Sequence, residues 1–191
     1  MNNGVKTLLI ILGVIVLLAG AAIMYGVGEY NKAVAMDELV KSQWAQVDNQ
    51  LKRRYDLIPN LVETVKGYAT HEKELFENIA NARTKYFQAN SVQGKVQAAN
   101  QVEGLLSRLL VLRESYPQLK ANENFLKLQD SLEGTENRIA VERMRFNETV
   151  KILNTYRRTV MGRLFASLAG VNEAQYFEVP VAEKEAPKVK F

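Results

Sequence analysis

The chain contains no cysteine, which removes disulfides, thiolate nucleophiles, thiolate metal sites and a lipid carried on an N-terminal cysteine. It has one histidine, His71, and although Glu72 follows it, no second histidine completes an HExxH zinc site. Paired Glu-x-x-His motifs, the usual ligands of two-metal helical bundles, are excluded for the same reason. A lone His71 acting as a general base would need a nucleophile and an orienting partner, and neither stands near it, so it reads as an exposed helix-start residue. Gly26 and Gly28 lack the third glycine and the preceding strand of a phosphate loop. Only 4 prolines and 11 glycines occur, with no alternating apolar run of strand length, so the fold class is all-α. Basic and acidic residues number 25 and 21 and are interleaved, giving a net charge of +4. No basic patch alternates with stacking aromatics, so nucleic acid is not an expected partner. These absences predict a protein without a cofactor, a metal or enzymatic chemistry.

Present instead is a long amphipathic pattern, clearest in WAQVDNQLKRRYDLIPNLVETVKGY from Trp44 to Tyr68. Trp44, Val47, Leu51, Arg54, Ile58, Val62 and Val65 recur at steps of three and four, the seam of a helix packed lengthwise on others. Arg54 interrupts that stripe, and a guanidinium on an apolar face requires a partner. Pro59 falls inside the pattern and predicts a kink without a stop, because Leu61, Val62 and Val65 continue the period.

Residues 1–6 read as a short polar tail and residues 7–28 as a transmembrane helix. The latter segment has no charged residue, and at about 1.5 Å per residue it spans roughly 33 Å, enough for a hydrocarbon core of about 30 Å. Leu8, Ile15 and Leu18 are anchor residues within it, and Tyr25 falls where an interfacial aromatic belongs. A cleaved signal peptide is the alternative, with an h-region from Leu8 to Leu18 and Ala19-Gly20-Ala21 as the cleavage pattern. Lys6 precedes the span, whereas mixed, net negative charges follow it, which predicts a cytoplasmic amino end and an external domain. Residues 29–170 read as one domain. Its first helix is expected to cover about Tyr30 to Ala69 as an uninterrupted extension of the membrane helix, a rigid stalk without a flexible linker. Thr70 is the expected cap of a second helix to about Ala89, with Leu75, Ile79, Ala82 and Tyr86 on one stripe. Ser91 caps a third, Val92 to about Ser115, stopped by Pro117. Asn122 caps a fourth, whose seam runs from Phe125 through Leu132, Ile139, Glu142, Phe146 and Tyr156 to Val160. Met161 to Gly170 is expected to be a frayed last turn, broken at Gly162 and Gly170. Residues 171–191 are expected to be an extended, largely disordered tail. Four stripes with short connectors predict an antiparallel, up-down-up-down four-helix bundle.

Several polar residues lie on the helices expected to pair. They are Arg54, Asp56, Asn60 and Glu63 on the first, and Glu136, Asn137, Glu142, Arg143 and Asn147, with Asn154, on the fourth. A hydrogen-bond network fixing helix register is the favoured reading of this seam, and a groove for a ligand or partner is the other. Antiparallel register places position 139 or so opposite Arg54 and pairs it with Glu142, under one turn away, with Glu136 as the alternative partner about one turn to the other side. Leu105, Leu106, Leu109 and Leu110 read as a thick core or as an interaction surface.

Two long stretches, QLKRRYDLIPNLVETVKGYATHE from Gln50 and YPQLKANENFLKLQDSLEGTENRIAVERMRFN from Tyr116, together with YFE at Tyr176, resemble the LemA family of bacterial membrane proteins. The resemblance covers about Trp44 to Glu178. It implies an N-terminal membrane helix, a four-helix bundle outside the cytoplasm and no enzymatic activity, with magnetosome membrane proteins among distant relatives. It also implies neighbourhood to membrane metalloproteases and TPM-domain proteins. Where family members usually carry Phe-Pro after the fourth helix, this chain has Val160-Met161. The resulting expectation is an inner-membrane scaffold that contacts lipid and forms homo-oligomers. A substrate adaptor for a membrane metalloprotease and a ligand sensor using the polar seam are the rivals.

Overall fold

A computed structural model of the chain describes residues 3–178. Every regular element among them is helical: α1 (Asn3–Lys66), α2 (Lys73–Gln88), α3 (Val92–Ser115), the single turn α4 (Pro117–Lys120), α5 (Glu123–Arg158) and α6 (Val160–Leu168). The expectations for residues 1–2 and for the charged segment 179–191 lie outside the described residues. Helix α1 has no break at the end of the charge-free run, and it starts within the stretch read as a polar tail. It also continues through Pro59, because Ile58, Leu61, Val62 and Val65 around that residue are all buried and hold the helix where one backbone donor is missing.

The described residues divide into two compact units. One comprises Gln43–Glu148 with the segment from Gln175. Its core takes in stripes legible in the sequence, Val47, Leu51, Ile58 and Val65 of α1, Leu75, Ile79, Ala82 and Tyr86 of α2, and Phe125, Leu132, Ile139 and Phe146 of α5, together with Val102, Leu106 and Leu109 of α3. Ser91 caps α3 by accepting from the Gly94 amide, and Asn122 caps α5 through a 2.9 Å bond from the Phe125 amide. The start of α2 differs from expectation. The carbonyl of Val65 accepts from both Tyr68 and Ala69, and Glu72 N–H reaches back to Ala69. That tight turn consumes Thr70, so α2 begins at Lys73 without a side-chain cap.

The other unit joins the residues up to Ser42 with Thr149–Ala174. Ala33, Val40, Val150, Leu153, Tyr156 and Ala166 are among its buried residues, and the Tyr156 hydroxyl donates 3.0 Å bonds to the backbone and side chain of Glu29. The fourth helix of the sequence reading ends early here. Helix α5 stops at Arg158, and Thr159, with extended backbone, caps a separate α6 by accepting from the Gly162 amide at 3.0 Å. The segment expected to fray is therefore a capped helix. Gly162 is not its breaker, because a Cβ there would stand 2.0 Å from the Tyr156 carbonyl oxygen, so only glycine permits this turn. Gly170 does end α6, with φ +67, the left-handed conformation that glycine adopts without strain. Val160, placed on the seam by its spacing, is 86% exposed because the helix it would have continued has already ended.

Residues 171–178 carry no regular structure, yet they are not the loose tail expected from 171 onward. Val171 and Phe177 are buried. In the first-described unit Asn147 donates to the Phe177 carbonyl at 3.1 Å and accepts from its amide at 2.8 Å. In the other, Asn154 makes the same two bonds to Ala174, at 2.8 and 3.0 Å.

Candidate functional site

The polar interior of the unit formed by Gln43–Glu148 is the arrangement most worth testing for function. Helix α1 delivers Arg54 into its core, 1% exposed, because the residue occupies an apolar seam position. One guanidinium nitrogen, Nη2, donates to Glu136 Oε2 at 2.5 Å and stands 3.9 Å from Glu103 Oε2 of α3. Glu142, the expected partner, instead accepts from Gln43 at 2.7 Å and pairs with Arg145 at 2.8 Å. The two carboxylates lie nearly two turns apart on α5, and the alternative partner, Glu136, is the one that meets Arg54. Burial pushes the Glu136 carboxyl up, an effect the facing Arg54 does not fully offset and the negative Glu103 reinforces. Arg54 Nε and Nη1 are buried without a partner, as are the Tyr55 hydroxyl and Gln50 Oε1.

A second cluster, which the sequence reading missed, centres on Asp48. Its carboxylate accepts from the Tyr86 hydroxyl at 2.6 Å and from Lys95 at 2.7 Å, and pairs with Lys52 at 3.0 Å. Burial alone would raise the Asp48 carboxyl, but the bonds from Lys95, Tyr86 and Lys52 outweigh it and hold the group below its ordinary value. Burial and the bond to Asp48 push the Tyr86 phenol well above its ordinary value. Tyr86 also packs on Tyr55 with ring centroids 4.2 Å apart. The one signal available beforehand was an aspartate next to Val47 on the inner side of the stripe.

Of the other polar residues read from the sequence, Arg143 is half-buried, its guanidinium 5.7 Å from the centre of the Phe177 ring, and Asn147 holds the Phe177 backbone. Asp56, Asn60, Glu63 and Asn137 are exposed and lie outside any buried network, with Glu63 paired to Lys66 on its own helix. Of the four leucines, Leu106 and Leu109 are buried in the core, and Leu105 and Leu110 are half-buried. His71 is exposed. Leu8, Ile15, Leu18 and Tyr25 on α1 are exposed by 65, 56, 62 and 56%. Two hollows of about 340 and 430 Å³ open on the surface, the first beside Asn78 and Arg108 and the second beside Lys66 and Phe76. Neither is lined by Arg54 or Asp48. Among the described residues no three His, Cys, Asp or Glu side chains gather closely enough to hold a metal ion.

The directions of the shifts limit the chemistry. A phenol driven up stays protonated and a carboxylate driven down stays ionised, so Tyr86 and Asp48 are locked as donor and acceptor rather than poised to exchange protons near neutral pH. What results is an all-α protein with a charged, internally paired core and one described helix, α1, long and apolar enough to cross a membrane. The LemA family matches residues 43–191, and the chain belongs to it. Among relatives, magnetosome proteins MamQ 1 and MamQ 2 of Paramagnetospirillum magneticum are 22% identical to it, over 78% of this chain and 64% of theirs. Magnetosome protein MamQ of Magnetospirillum gryphiswaldense is 21% identical with the same coverage. The chain thus spans just under two thirds of the length of these relatives.

Proposed function

We propose that this LemA-family chain is a non-enzymatic scaffold, held in the bacterial inner membrane by residues 7–28, that assembles with further copies of itself and organises the membrane around them. In this reading the amino end is cytoplasmic, and the segments of α1, α2, α3 and α5 from Gln43 to Glu148 form an antiparallel four-helix bundle outside. Pairs between α1 and α5 support that arrangement, since Trp44 meets Phe146, Arg54 meets Glu136 and Tyr68 meets Asn122, one number falling as the other rises. The observation that carries the reading is the use of the interior charges: Asp48 and Glu136 each pair with a residue of another helix, an arrangement that fixes register. Detergent-extracted full-length protein should run as a large assembly on sizing with light scattering. A monomer-sized particle would overturn self-assembly, and one that co-purifies with a membrane metalloprotease or a TPM-domain protein would favour the adaptor reading.

A ligand-sensing reading is favoured by one observation, the unpartnered Nε and Nη1 of buried Arg54. A small anion reaching them would stabilise the fold by mass action, so a thermal-shift series with carboxylates and phosphate tests it.

A further inference from the structure

Helix α6 is apolar on two sides and is covered on only one. At 100° per residue Gly162, Phe165 and Ala166 share one face, and Gly162 and Ala166 are buried. On the opposite side Val160, Met161, Leu164 and Leu168 form a contiguous apolar face, exposed by 86, 48, 53 and 64%. Arg163 and Ser167 lie along its edge. A Cβ on Gly26 would stand 3.4 Å from the Phe165 ring, so α6 packs against α1 at the last turns of the charge-free run. No acidic residue occurs between Arg157 and Asn172, while Arg157, Arg158 and Arg163 all do.

We infer that α6 is an interfacial helix, lying in the surface of the membrane that α1 crosses, with Val160, Leu164 and Leu168 among the acyl chains and Arg163 at anionic headgroups. Three observations carry this. The helix sits at the level of α1 where a bilayer surface would lie if residues 7–28 span it, so the inference rests on the anchoring proposed above. Met24 and Tyr25, beside Gly26 on α1, are exposed as well, by 78 and 56%. The amino-terminal flank of α6 and the helix itself carry positive charge alone, at Arg157, Arg158 and Arg163, the pattern of a helix that binds an anionic surface by buried apolar area plus electrostatics. A second copy covering the same face is the competing occupant, but it would bring the same three arginines against each other.

The absence of cysteine makes the test direct, since any introduced cysteine is unique. Leu164→Cys, Leu168→Cys and Ser167→Cys, each at an exposed position, are spin-labelled in the full chain reconstituted into phosphatidylethanolamine–phosphatidylglycerol vesicles. Leu17→Cys reports the span and Val111→Cys a water-facing site. Labels at 164 and 168 should collide with oxygen severalfold more often than with a water-soluble nickel chelate, and labels at 167 and 111 should show the reverse. Water-like values at 164 and 168 with lipid-like values at 17 overturn this inference alone, and water-like values at 17 overturn the anchoring with it. Dipolar broadening between labels at 164 would show a second copy on that face and overturn the lipid assignment. Replacing phosphatidylglycerol by phosphatidylcholine should lower the preference for oxygen at 164 and 168 but leave that at 17 unchanged, and an equal fall at all three would remove the role given to the arginines.

Discussion

At Arg54 the two halves of a buried ion pair differ in what their loss would do. Burial pushes Glu136 up in spite of its partner, which means that the desolvation of this carboxyl outweighs the attraction it gains. Intact, the pair fixes register more than it adds stability; broken, it leaves a guanidinium 1% exposed with Glu103 as its nearest remaining anion at 3.9 Å. Glu136→Ala should therefore cost about 3 kcal/mol, the low end for a buried pair because Glu136 is partly exposed, while Arg54→Met with Glu136→Leu should be near neutral. Chemical denaturation of the full chain in detergent gives both values, and Glu142→Ala is the control that should show no coupling to Arg54. Asp48 behaves in the opposite sense. Its folded carboxyl lies below the ordinary 3.8, so between the two values the unfolded chain binds more protons and stability rises with pH. The contribution is fully present above about pH 4 and is lost as pH falls through the folded value. Denaturation midpoints followed downward from pH 7 should show the wild type losing its advantage over Asp48→Asn in that window, and a constant difference would remove Asp48 from the account.

Among the elements, the α5–α6 junction separates what a spacing pattern can tell from what it cannot. The four-and-three step marked the buried stripes of α1, α2 and α5 because burial of one face is a property of sequence spacing alone. It carried on through Val160 for the same reason, since a valine at the next seam position looks identical whether or not the helix persists. The break depends on Thr159, which caps a helix only if its backbone leaves the helical region, and on Gly162, whose missing side chain lets the Tyr156 carbonyl approach. Thr-Val-Met-Gly was the legible signal, a capping residue three places before a glycine. Gly162→Ala should destabilise this turn by about 3 kcal/mol, since its Cβ would meet backbone oxygen that cannot move aside as a side chain could. Differential hydrogen exchange should place the loss in residues 159–170, and uniform exchange across α2 and α3 would contradict it.

For the molecule as a whole, a helix long and apolar enough to cross a membrane, an all-α fold and the family were legible because each is written in runs of many residues. The polar core was legible only in part: Arg54 stood out against apolar neighbours, whereas Asp56, Asn60 and Glu63 share its helix and prove exposed, and Asp48 gave little warning. Side-chain identity on one helix does not specify which groups on other helices arrive to meet it. Phe177, 3% exposed and beside the Trp44 ring at 6.3 Å, should lose about 3 kcal/mol on replacement by alanine, measured as a lower denaturation midpoint with faster proteolysis near Gln175. The asparagine bonds that hold this segment have a different character. Asn147 and Asn154 each offer one donor and one acceptor to the amide and carbonyl of a single residue, so each takes hold of main chain that every amino acid but proline shares. Ala174→Ser should accordingly pass unnoticed in stability while Ala174→Pro releases the segment, and between the buried Val171 and Phe177 the side chains are free to change in evolution while the main chain stays held.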